Sequence, residues 1–143
     1  MPHGQCGRVA SLAFLGDDLY IAGVDGLGVI HAATGCTSGC TATQVPGSLF
    51  RVTHPGVASN GVDTLYYLVN NAVWTYSPAT GAHAVVATGG TLPDGTTSSF
   101  AFAAGQPNLL QLDGAGNLWI GDDTSDGRLT DFGRIWVIAP PLQ

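Results

Sequence analysis

The chain is predicted to be all-β, built from about three four-stranded antiparallel β-propeller blades, the last one incomplete, which together make a partial ring. Three observations predict it. First, the chain repeats itself: shifted by 46 positions, residues 18–35 (DLYIAGVDGLGVIHAATG) fall without gaps on residues 64–81 (TLYYLVNNAVWTYSPATG). Leu19 meets Leu65, Tyr20 meets Tyr66, and Ala33-Thr34-Gly35 meets Ala79-Thr80-Gly81. Second, a further copy begins at NLWIGD, 53 positions beyond Thr64, and continues at RIWVIAP, 62 positions beyond AVWTYSP. Units of this length, each holding apolar runs split by Gly, Asp and Asn turns, are the pattern of propeller blades. Third, the chain has no Lys and no Glu, and it carries 21 Gly and 8 Pro. Lys and Glu favour helices, whereas Asp, Gly and Pro favour caps and turns.

The elements follow in order, as one domain over residues 1–143 with blades near 8–53, 54–88 and 108–140. In the first blade VASLAFLG reads as the innermost strand and DLYIAG as the second. A Gly/Asp turn around Asp25-Gly26 leads into GVIHAAT, and TATQV or SLFRVT is outermost. The second blade opens with a weak inner strand at GVASNG, followed by TLYYLV, a tight Asn70-Asn71 hairpin, VWTYSP and AHAVVAT. Asn tolerates the positive φ that two-residue hairpins require. Residues 89–107 are irregular in pattern and read as an insertion long enough to be a functional loop or lid. The third blade is NLLQLDGAGNLWIGD followed by RIWVIAP, with nine extra residues before its third strand and no outer strand after it.

Three blades do not close a ring, because propellers typically need four to eight. The expected partners are therefore another copy of the chain, two copies making six blades, or the remaining blades of a longer chain. Residues 2–8 are a further source for the missing outer strand.

Charge excludes several functions. The net charge is −6, and the only cations besides His are Arg8, Arg51, Arg128 and Arg134, which are dispersed. Clustered cations are what phosphate backbones and anionic membranes require, so neither is expected as a partner. No apolar run is long enough to span a bilayer as a helix. The first ten residues lack a charged segment followed by an apolar stretch, so no signal peptide is expected there. Cys36 and Cys40, in the small-residue loop TGCTSGCTAT, read as a structural disulfide, with free thiols, then redox or metal chemistry, as the alternatives. A disulfide points to an extracellular or periplasmic location and leaves Cys6 as the odd thiol.

The residues GNLWIGDD, GRIWVIAP and AVWTYSPATG resemble blades of the NHL/YVTN-type six-bladed propellers. That resemblance implies a mostly bacterial, often secreted architecture that hosts binding scaffolds, lactonase-like hydrolases and quinone-dependent dehydrogenases. The architecture alone does not assign the function.

In such a ring, the hairpins from second to third strand surround one channel mouth together with the loops between blades. Asp25, His54, Asn71 and Asp122 are the residues expected on that face, with the insertion and residues 122–133 beside them. Within GDDTSDGRLTDFG, Asp122, Thr124 and Asp126 alternate before Gly127, and Asp131 follows. Alternating oxygen donors before a Gly turn can wrap calcium. The plain alternative is a solvated turn whose Asp side chains bond their own backbone. The twelfth position, where an EF-hand needs Glu, is Gly133. His3, His31, His54 and His83 lack metal spacing, with His31 placed in a strand and His83 at a strand start in structural roles. Tyr20, Tyr66, Trp74, Trp119 and Trp136 recur at matching places and read as core between blades rather than as a sugar platform.

No catalytic constellation is apparent. The expected function is a non-enzymatic, secreted or surface-associated module for partner binding or self-assembly. The alternatives are a fragment or half of a propeller enzyme (a metal-dependent lactonase-like hydrolase or a quinoprotein-like oxidoreductase) and a sugar-binding propeller.

Overall fold

The computed structural model describes residues 9–23, 25–48, 56–101, 109–122 and 134–140. They form three antiparallel sheets. The first is a simple meander in the order β1 (Val9–Leu15), β2 (Asp18–Gly23), β3 (Gly26–Ile30) and β4 (Thr43–Gln44). Leu15 pairs with Asp18 across a two-residue turn whose first residue, Gly16, takes φ 60°. A short 3-10 helix (Ala33–Gly35) precedes the loop of Cys36 and Cys40. The second sheet is again a meander: β5 (Val57–Ser59), β6 (Leu65–Val69), β7 (Ala72–Ser77) and β8 (Ala82–Ala87). Its β6–β7 turn is Asn70-Asn71, with Asn70 at φ 53°, a conformation Asn adopts more readily than most residues.

The third sheet corrects the expectation of an incomplete last unit. It has five strands, ordered β10 (Thr97–Ser99), β9 (Gly89–Thr91), β13 (Arg134–Ile138), β12 (Leu118–Asp122) and β11 (Leu109–Leu112). The strand beside β13 comes from earlier in the chain, where residues 89–99 had been read as part of a loop or lid. Thr91 pairs with Val137. The β9–β10 hairpin turns at Asp94-Gly95, where Asp94 accepts the Thr96 amide at 2.9 Å and Gly95 takes φ 86°. Gly89 and Gly90 are needed by close approach. A Cβ on Gly89 would stand 2.5 Å from the Ser98 carbonyl oxygen, and one on Gly90 3.1 Å from that of Val137.

The three sheets are layered, with the second in the middle. Along β6 every residue is buried, so successive side chains, which point to opposite faces, enter two different cores. Leu65, Tyr67 and Val69 join Leu15, Tyr20, Ala22, Leu27 and Val29 of the first sheet. Tyr66, Leu68 and Val73 join Leu110, Leu118, Ile120 and Trp136 of the third. β5 packs against both β1 and β11. The Ser11 hydroxyl ties β1 to β5, accepting the Val57 amide at 3.1 Å and donating to its carbonyl at 3.2 Å. Val9 and Ser11 flank a register shift in β1. No closed ring is formed among the described residues.

Candidate functional site

The first inter-sheet boundary is fixed by a polar bridge through its aromatic core. The Tyr67 hydroxyl meets Nδ1 of His83 at 2.8 Å, and Nε2 of His83 meets the Pro46 carbonyl at 2.8 Å. A carbonyl only accepts, so Nε2 donates to Pro46, and with Nδ1 bare the Tyr67 hydroxyl donates to that nitrogen. Burial pushes the Tyr67 phenol up to about 12. His83 also stacks on Tyr76, with ring centres 4.7 Å apart. His83 therefore has the structural role expected of it. His31, by contrast, lies in the turn after β3 rather than in a strand. Its Nδ1 is 2.9 Å from Asp18, which also accepts the Ala32 amide at 2.9 Å. The Ala32 amide first, and the His31 contact after it, hold the Asp18 carboxyl below the usual range.

The turns are organised by short polar side chains. Asn60 Oδ1 accepts the amides of Val62, Asp63 and Thr64 between β5 and β6. Fifty-three positions later Asp113 does the same work between β11 and β12. It accepts the amides of Ala115 and Asn117, the Asn117 side chain and the indole N–H of Trp119 at 2.8 Å. The Trp119 and Asn117 side chains depress its carboxyl to about 2.

The expected channel-mouth residues are only partly placed. Asp25 lies in the β2–β3 turn and Asn71 at the same place in the β6–β7 turn, while Asp122 is the last residue of β12, paired with Arg134. His54 lies outside the described residues. So do Thr124, Asp126 and Asp131 of the proposed calcium loop, and Cys6. Cys36 and Cys40 stand at disulfide distance with Cα atoms 6.0 Å apart, as the spacing suggested. Among the described residues, no three His, Cys, Asp or Glu side chains gather as a metal-binding group. An open depression of about 360 Å³ lies beside Leu92, Pro93, Asp94, Arg134 and Ile135. Arg134 reaches the Ala101 carbonyl and places its guanidinium 5.6 Å above the Trp136 ring, whose edge meets Phe100.

The most pronounced surface features are the outward faces of the first and third sheets. On the first sheet Leu12 pairs with Ile21 and Phe14 with Leu19, while Leu19 pairs with Ile30, so these five apolar side chains share one face. Leu12 is 56% and Phe14 52% exposed. On the third sheet Leu109, Trp119, Ile135 and Val137 share the outward face, with Leu109 69% exposed. Trp119 thus departs from its expected role: it lies on the surface, while Tyr20, Tyr66 and Trp136 are buried and Trp74 packs against the first core.

The repeat explains why these faces are apolar. Leu65 and Tyr67, buried against the first sheet, are the counterparts of Leu19 and Ile21. Tyr66 and Val73, buried against the third sheet, are the counterparts of Trp119 and Ile135. Each sheet carries the same two surfaces, and the end sheets each leave one of them uncovered. Sequence reading located these residues but not their exposure, since alternation along a strand separates two faces without saying which one is covered.

Compared with known protein families and with curated proteins, the chain matches none at a significant level.

Proposed function

We propose that the chain is a non-enzymatic β-propeller-type module, secreted or surface-associated, that works by docking a partner or assembling through its outward sheet faces. One observation carries the reading: both ends of the three-sheet stack present surfaces equivalent to those buried inside it. Apolar faces of that kind, left to water, are the usual mark of an interaction site. The propeller arrangement is supported by the meander order of the first two sheets and by β5 lying beside both β1 and β11, as innermost strands of neighbouring blades do. The Cys36–Cys40 pair at disulfide distance favours an oxidising compartment. Among the described residues no helix is long and apolar enough to cross a membrane.

The test replaces Leu12, Phe14, Leu109 and Ile135 together by Ser. If the faces are interfaces, the variant loses association and binds less of an apolar-surface dye such as anilinonaphthalene sulfonate. A variant that matches the wild type in solution mass and dye binding would remove the proposal. Turnover of lactones with added divalent metal, or of sugars with an added quinone, would overturn its non-enzymatic part.

A further inference from the structure

We infer that the occupant of each outward face is the opposite face of a second copy of this chain, joined head to tail into a two-fold ring of six sheets. The inference rests on the docking reading above and names its partner. Its ground is continuity with the interfaces already inside the chain. At both internal boundaries the surface formed by Tyr20, Ala22 and Val29, or by Tyr66, Leu68 and Val73, packs against the surface of the following sheet that contains Leu65 and Tyr67, or Leu118 and Ile120. The packing is therefore directional. The third sheet presents the first kind of surface, through Trp119, Ile135 and Leu109, and the first sheet presents the second kind, through Leu12, Phe14, Leu19 and Ile21. A second copy supplies the missing neighbour at both ends with the same polarity.

Chemistry and arithmetic agree with this. None of these outward side chains is charged, which matches the depletion of charge at the centre of protein interfaces. A head-to-tail contact repeated by rotation either closes or grows without limit. Rings built from copies of this three-sheet stack contain multiples of three sheets, and six is the one such multiple within the usual range of four to eight blades. Two copies then suffice. The third sheet of each meets the first sheet of the other, and no apolar face remains open.

The experiment uses the full 143-residue chain and two variants at opposite ends, Phe14→Asp and Leu109→Arg. Both side chains are more than half exposed, so the fold tolerates either change, and circular dichroism checks this. Light scattering on a sizing column should give the wild type about twice the 14.6 kDa chain mass. Each variant alone should run at one chain mass, its dissociation constant raised at least about tenfold. An equimolar mixture should return toward two, because one of its two contacts is then wild type on both sides. If only one variant dissociates the dimer, or if mixing restores nothing, the pairing is face to itself and the head-to-tail inference is overturned. A wild type of one chain mass at every concentration overturns it as well. The dye then separates the two readings: binding that falls in both variants leaves the faces as sites for another partner, and no binding removes the docking reading too.

Discussion

Leu65→Ala and Leu68→Ala provide the most direct test of the three-layer arrangement. The two residues are three apart on β6, so their side chains point to opposite faces. In a sheet with one wet face, one substitution would be expensive and the other nearly free. Here Leu65 lies in the core shared with the first sheet and Leu68 in the core shared with the third, each at most 1% exposed. Each truncation removes a buried isobutyl group and leaves a cavity between sheets that hydrogen-bonded strands cannot easily close. About 3 kcal/mol is expected for each, within the usual span for buried Leu→Ala changes. For a chain of this size that corresponds to a fall of roughly 10 °C in melting temperature. The control is Val62→Ala in the β5–β6 turn, where the side chain is 80% exposed and the change should stay within about 0.5 kcal/mol. Urea unfolding followed by tryptophan fluorescence measures all three at one fixed protein concentration, since self-association makes stability concentration-dependent. If either Leu variant falls within 1 kcal/mol of the control, that face of the middle sheet is wet and the stack is wrong.

Four further outcomes are expected. In a double-mutant cycle, Tyr67→Phe and His83→Phe should couple by about 1 kcal/mol, because removing His83 strands a buried hydroxyl that the double variant no longer has; additive effects would dissolve the bridge. The same Tyr67 makes the protein sensitive to alkali. Its folded pKa is raised from 10.0 to about 12, so its contribution to stability is constant below pH 10 and falls as pH rises between 10 and 12, and Tyr67→Phe should flatten that decline in denaturant titrations. Asp113 acts in the opposite sense. With its folded pKa lowered to about 2 from 3.8, its contribution is complete above pH 4 and is lost as pH falls toward 2, so Asp113→Asn should reduce acid sensitivity over that window. Finally, Gly89→Ala should destabilise by about 2 kcal/mol through overpacking against Ser98; a neutral result by thermal melting would remove β10 from its place beside β9.

Much of the fold was legible because strand periodicity and turn chemistry are local. VASLAFLG, DLYIAG, TLYYLV and VWTYSP became β1, β2, β6 and β7 nearly as read, and the outer strand of the first sheet fell within TATQV. The β9–β10 hairpin was missed, although Pro93-Asp94-Gly95 is a turn signal flanked by short Thr- and Ser-containing runs. It was read as a loop because Gly-Gly and Thr-Ser-Ser carry no apolar alternation. Their place in a sheet depends on Gly90 lying against the Val137 carbonyl, a contact made across more than forty residues. His31 was misplaced for a similar reason: the Asp18 carboxylate captures the Ala32 amide and ends the strand at Ile30.

Sequence alone determined that this protein is made of repeated small antiparallel sheets, since spacing, side-chain alternation and the shortage of helix formers act within a few residues of each position. Only the tertiary structure decided which faces lie against one another. An apolar face is written the same way whether a neighbour covers it or not, and burial is a property of what packs there. That is why Tyr66 and Trp119, alike in the repeat, end respectively inside the molecule and at its surface.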